Sequence, residues 1–235
     1  MHYQLYYWTG LLGRGEFVRL ALEDAGADYT DVARVEGDEV MNAFLEGNKT
    51  GAQPFAPPFL KVGDTVVAQV AAILHVIGPQ LQLVPDPDAQ RIQALQLQLT
   101  IADLVAEVHD SHHPIATGLY YEDQKAEAAK RAKDLRDNRL PKFLGHFEQV
   151  LQQAGGMHVL GTHSYVDLSL FQLISGLEYM FPKRMKTLSA DLPCLKALQE
   201  RVAARPRIAA YLASERRVAF NTNGIFRHYP ELDAA

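Results

Sequence analysis

The chain has 235 residues, 48% of them hydrophobic and 22% charged, with a formal net charge of -5. That is enough apolar material for one large domain or two small ones, and its lysines and arginines are dispersed, which argues against nucleic acid or an anionic membrane surface as a partner. The single cysteine, Cys194, excludes an internal disulfide and any cysteine-based metal cluster.

Residues 3–8, Tyr-Gln-Leu-Tyr-Tyr-Trp, predict a strand with Tyr3, Leu5 and Tyr7 on one face and Gln4, Tyr6 and Trp8 on the other. No basic leader comes before it, so a cytoplasmic protein is expected. A turn holding Gly10, Gly13 and Gly15 leads into apolar positions at helical spacing over 17–25, with Gly26 as a natural stop. The glycines do not make a dinucleotide loop. Val18 stands where the third glycine of G-x-G-x-x-G belongs, so they read as a flexible strand-to-helix connection.

Residues 27–35 predict a second strand and 39–45 a short helix, followed by the loop Gly-Asn-Lys-Thr-Gly. The stretch 54–77 then reads as a strand opened by Pro57 and Pro58, a tight turn at Gly63 and Asp64, a second strand, and a helix with no loop before it. Proline has no N–H to give a ladder, so both prolines belong at the mouth of the strand, where exposed backbone is free to bond a ligand. The unpaired N–H groups of the following helix come to the same place. Together they form a candidate carboxylate or phosphate site.

The order strand, helix, strand, helix, strand, strand, helix is that of a thioredoxin-like α/β domain, expected over residues 1–80 with a proline-rich linker over 81–88. From 89 to 235 the chain reads as helices: a long amphipathic one over 89–110, a longer one over 122–153, and an apolar one over 164–179. Ser164 and Asp167 make a capping box at the start of the last of these. Cys194 reads as a buried structural thiol, and the aromatics of 220–233 predict a tail packed on the body. No apolar run is long enough to span a bilayer as a helix. His109, Asp110, His112 and His113 are the one metal-like cluster in the sequence. Without a supporting ligand motif they read as helix-end histidines, and no metal is expected.

The Pro-Pro-Phe-Leu strand, the Gly-Asp turn, Gln69 ahead of Ala-Ala-Ile-Leu, and the Ser164–Asp167 box resemble the cytosolic glutathione transferases across the whole chain. The closing run looks like bacterial sigma-like members of that family. The resemblance implies a glutathione-binding thioredoxin-like domain, an all-α second domain with a pocket for a small hydrophobic electrophile, and a homodimer serving detoxification. It also implies a cis bond before Pro58. Tyr7, directly before the aromatic Trp8, matches the tyrosine that stabilises the glutathione thiolate in Tyr-type members, with Tyr6 and Thr9 as alternatives. Trp8, Arg14, Lys49, Pro57, Pro58, Gln69 and Val70 match positions around the tripeptide, and Asp103 matches an acidic residue that reaches it across a subunit interface. His109, His113 and Tyr120 match the border of the second-substrate pocket.

Two residues depart from the family pattern. Val70 lacks the hydroxyl of the serine expected after Gln69, and Pro57 offers only its C=O to the glutathione backbone. The same thiolate serves a glutathione-dependent isomerase or peroxidase, and the two departures leave a non-catalytic binding or scaffold protein as the alternative.

Overall fold

The computed structural model describes residues 1–47 and 53–233. The chain opens with β1 (His2–Tyr6), α1 (Gly15–Ala25), β2 (Asp28–Asp31), α2 (Val32–Glu36) and α3 (Asn42–Leu45). The hairpin of β3 (Phe59–Val62) and β4 (Thr65–Ala68) runs into α4 (Val70–Gln80). Among the described residues the sheet has four strands in the order β2-β1-β3-β4, with β1 parallel to β2 and the other pairs antiparallel.

The alternation read in the first strand is realised. Tyr3 and Leu5 enter the main core with α1 and α4, while Tyr6 turns to a smaller cluster with Val32, Met41 and Phe59. Gly26 closes α1 in the left-handed conformation, φ 65°, and its N–H bonds back to the helix. The strand expected over 27–35 is shorter than predicted, because the chain turns helical at Val32. Asp31 marks the switch. Its carboxylate takes the Arg19 Nε at 2.6 Å and the Arg34 Nε at 3.0 Å, and Arg34 reaches it only from one helical turn further on.

The helical half comprises α5 (Asp88–Asp110), α6 (Lys125–Asp134), α7 (Leu140–Gln153), α8 (Tyr165–Met180), α9 (Pro182–Leu188), α10 (Pro193–Ala203) and α11 (Pro206–Leu212). The helix expected over 122–153 is broken. A 3-10 turn at Tyr121–Asp123 precedes α6, and a π-helical turn at Leu135–Arg139 separates α6 from α7. Pro141 lies just beyond that turn and has no N–H for the carbonyl one turn earlier, so the widened turn accommodates the missing bond. At its C-terminal end the chain packs Ile225, Phe226 and Leu232 into the core. Cys194 is only half-buried, a free thiol whose backbone N–H donates to Glu148.

Two buried polar arrangements fix the helices. On α1, Glu16, Arg19, Glu23 and Asp24 are all buried. Arg19 pairs with Asp31, Glu16 takes Arg217 and the Tyr211 hydroxyl, Glu23 takes Arg216, and Asp24 takes Arg205 and His163. At the start of α8 the capping box is complete: Asp167 Oδ2 accepts the Ser164 N–H at 2.7 Å, and the Ser164 side chain accepts the Asp167 N–H. Because Ser164 is fully buried, Ser164→Ala leaves the Asp167 N–H with only the Ser164 carbonyl, at 3.1 Å, and takes the hydroxyl donor from Asp167 Oδ2. The substitution is expected to cost about 1–3 kcal/mol, read by urea unfolding, with Tm falling by about 2–4 °C for each kcal/mol.

Candidate glutathione site

The antiparallel register Tyr6↔Phe59 brings Pro58 beside the end of β1, where Tyr7 follows. The Pro57-Pro58 bond is cis. A cavity of about 900 Å³ opens here, with Arg14, Pro57, Pro58, Gln69 and Val70 on one wall and Gln98, Ile101, Val105 and His109 of α5 on the other. Its size is ample for a drug-sized ligand.

The polar groups of the cavity come largely from backbone. No side chain caps α4, so the N–H groups of its first turn face the cavity end of the helix with the positive end of the helix dipole behind them. Gln69, at the N-cap, has φ 70°, a left-handed conformation that costs a non-glycine residue about 1 kcal/mol or more. That turn swings the chain from β4 straight into α4 and leaves the Gln69 side chain exposed at the cavity edge.

Tyr7 is buried behind Arg14, and its hydroxyl accepts the Arg14 N–H at 2.9 Å. The ring lies flush against the glycine turn. A Cβ on Gly13 would fall 2.0 Å from the Tyr7 hydroxyl oxygen, and one on Gly15 2.5 Å from the ring. These two glycines therefore make room for Tyr7 and are more than a flexible connection. Burial pushes the Tyr7 phenol above its ordinary pKa, while the Arg14 amide and the charges of Arg14 and Arg19 pull it back. It stays a neutral phenol at neutral pH. Because the oxygen accepts from Arg14, its own proton remains to be donated.

The two alternatives to Tyr7 are engaged elsewhere. Tyr6 stacks on Phe59 at 4.6 Å between ring centres, on the opposite side of the sheet. Thr9 gives its N–H and hydroxyl to the Asp38 carboxylate, at 3.0 and 3.3 Å.

Of the other residues expected around the site, Arg14, Pro57, Pro58, Gln69, Val70 and His109 line the cavity, and Tyr7 stands behind Arg14. Trp8, Asp103, His113 and Tyr120 are not among its walls, and Lys49 lies outside the described residues. Gln98 is a cavity residue that sequence reading missed. It is buried, and its Oε1 has no hydrogen-bond partner among the described residues. The available signal was an amide on the apolar face of α5, next to Leu97 and one turn before Ile101.

Residues 109–215 match the family model described as Glutathione S-transferase, C-terminal domain. The chain is 25% identical over 210 residues to the glutathione S-transferase of Plasmodium yoelii yoelii, covering 87% of this chain and 90% of that one. Glutathione S-transferase P 10 of Caenorhabditis elegans is 27% identical over 216 residues, covering 89% and 90%. Among solved structures, the Pi-class glutathione S-transferase of Onchocerca volvulus superposes with a TM-score of 0.75 at 22% identity, over 97% of this chain and all of the other.

The chain is thus similar in sequence to these glutathione S-transferases and shares their fold. Close to His109 of the cavity wall, His112 ties the end of α5 to the C-terminal segment. The His112 Nε2 donates to the Ile225 carbonyl at 2.8 Å, and His112 is fully buried. Burial, with smaller contributions from Arg227 and the neighbouring histidines, pushes its pKa from 6.5 down to about 3. The unfolded chain takes up this proton below pH 6.5 and the folded chain does not until about pH 3, so this contribution is complete above 6.5 and is lost on acidification through that window. Between pH 6.5 and 5, wild-type unfolding free energy should fall by up to about 1.4 kcal/mol per pH unit more than that of His112→Gln, measured by urea unfolding at each pH.

Proposed function

We propose that the protein is a Tyr-type glutathione transferase, sigma-like in its closing segment, in which the Tyr7 phenol donates to the glutathione sulfur and a small hydrophobic electrophile enters from the α5 side of the cavity. The observation that carries this reading is the meeting of an uncapped α4 N-terminus and Pro57, at the mouth of β3, at one cavity beside Arg14, whose backbone N–H anchors the Tyr7 hydroxyl; Tyr7 itself is not a wall residue. A γ-glutamyl carboxylate suits the helix N-terminus, a cysteine N–H the Pro57 carbonyl, and a thiolate the Tyr7 hydroxyl.

A free thiol has a pKa of about 8.5, and lowering it by two units takes roughly 2.7 kcal/mol of preferential stabilisation of the anion. One charge-assisted hydrogen bond supplies about 1.5–3 kcal/mol, so a single hydroxyl donor provides a large part of that stabilisation. Val70 withholds a hydroxyl from the γ-glutamyl carboxylate, which leaves that end of the ligand to the backbone N–H groups of α4 and the Gln69 side chain.

Calorimetric titration should show reduced glutathione binding to the wild-type protein, and silence at millimolar ligand would favour a non-catalytic scaffold. In Tyr7→Phe the apparent pKa of bound thiol should rise by about 1–2 units toward 8.5, with a matching fall in turnover of an aryl halide near pH 6.5. An unchanged thiol pKa would remove Tyr7 from this role.

The same surface suits a second copy of the chain. Phe55 is 93% exposed at the cavity mouth, and Ile92 and Leu99 stand 60% and 50% exposed on α5, an unusual concentration of uncovered apolar side chains. A two-fold dimer covers such patches reciprocally. Sedimentation of the wild type should give twice 26.2 kDa, and Phe55→Asp combined with Leu99→Asp should shift the population to the single-chain mass.

A further inference from the structure

Away from the cavity, in the bend that enters α8, His158, His163 and Asp167 each bring a metal-capable atom within 4.8 Å of the others. None of the three lines the cavity. The spacing is H-x4-H-x3-D, with both histidines on the irregular stretch before the helix and Asp167 in its first turn. What distinguishes the cluster is its unused nitrogens. The Nδ1 atoms of His158 and His163 are buried and have no hydrogen-bond partner among the described residues. Buried polar atoms without partners are uncommon and call for an explanation.

The surroundings prepare these atoms to bind a cation. His163 Nε2 lies 2.9 Å from Asp24 Oδ2, and Asp24 is held in turn by Arg205 at 2.5 and 3.0 Å. A carboxylate on one ring nitrogen keeps the proton there and leaves the lone pair of the other nitrogen free, the arrangement that orients metal-binding histidines. Asp167 is immobilised as well, with Oδ2 taken by Ser164 and Oδ1 accepting the Val159 N–H at 3.2 Å. One lone pair of Oδ1 remains. His158 Nδ1 stands 3.6 Å from that oxygen, too far for a hydrogen bond. The Asp167 charge also offsets the positive end of the α8 dipole, which would otherwise repel a cation.

We propose that His158, His163 and Asp167 form a binding site for one divalent transition-metal ion of the zinc type, bound through the two free Nδ1 atoms and the Asp167 carboxylate, with water as the fourth ligand. Two imidazoles and one carboxylate suit zinc, cobalt or nickel over magnesium or calcium, which prefer oxygen ligands. Tetrahedral coordination at about 2.0–2.1 Å places ligand atoms roughly 3.4 Å apart, so the cluster must tighten by about 1.4 Å at most, within reach of ring rotations. The two histidine side chains are 21% and 14% exposed, which leaves an entry path and room for the water. Through Asp24 the ion would fasten the entry of α8 to the end of α1, across the two halves of the chain.

The test uses the full chain after chelator treatment and dialysis. Titration with Zn2+ should show one equivalent bound and raise Tm by about 5–10 °C when free metal exceeds Kd about a hundredfold, while Mg2+ should leave Tm unmoved. Co2+ should develop the visible absorption of a tetrahedral nitrogen and oxygen site. His158→Phe keeps the ring volume and should weaken Zn2+ binding by at least about tenfold, and His163→Gln should do the same. His109→Gln combined with His113→Gln, which removes the other histidine cluster, should leave binding intact. Absence of Zn2+ binding to the wild type overturns the proposal, and so does binding lost in the His109/His113 variant but kept in His158→Phe. If His158→Phe fails to fold, His163→Gln and the wild-type Co2+ spectrum decide the matter.

Discussion

The position of the sheet relative to the helices rests on a charge that has no access to water. Arg19, in the middle of α1, is wholly buried, bonded to Asp31 at the end of β2 and to the Leu11 carbonyl in the glycine turn, with its guanidinium 5.6 Å above the Tyr7 ring. An unpaired ion in such a place costs several kcal/mol, so β2, the turn and α1 are held together by the acceptors they bring to its Nε and Nη1, while Nη2 has no hydrogen-bond partner among the described residues. Glu16, one turn earlier, carries the constraint across to the helical half through Arg217 and the Tyr211 hydroxyl. Burial pushes the Glu16 carboxyl up in pKa, against the pull of Arg19, Arg217 and Tyr211. The cavity therefore lies between two walls whose separation is set by buried charges on a single helix.

This explains why a site made largely of backbone is well defined. The α4 N-terminus and the Pro57 carbonyl belong to the sheet half, and Gln98, Ile101 and His109 to the helical half. Neither half alone encloses the space. The phenol is placed by the same elements, since the Gly13 to Gly15 turn that receives its ring is also where Arg19 finds the Leu11 carbonyl.

The sequence made some of this readable and hid the rest for physical reasons. Period-two alternation and the serine and aspartate spacing at 164–167 are local signals: the alternation appears over Tyr3–Tyr6, with β1 ending two residues before the expected Trp8, and the capping box appears as expected. The strand over 27–35 was overread because β-branched and aromatic residues suit a strand until a long-range partner intervenes, and the partner of Asp31 is Arg19 on α1. The apolar spacing of α1 is a local signal, but the burial of Glu16 and Glu23 on it follows from arginines nearly 200 residues away in sequence. His158 and His163 lie in a stretch without periodicity, and nothing local announces that both fold back onto the box at Asp167. The place of Tyr7 directly after β1 is local, whereas the tight seat of its ring on Gly13 and Gly15 has no local signal.

The left-handed backbone at Gln69 carries a cost that the bare fold does not recover. Glycine would adopt that dihedral freely, yet it would strip the rim of its only side-chain amide at the head of α4. The exposed amide at the cavity edge is thus held at a backbone cost of about 1 kcal/mol or more, a cost that no contact of the side chain itself among the described residues removes.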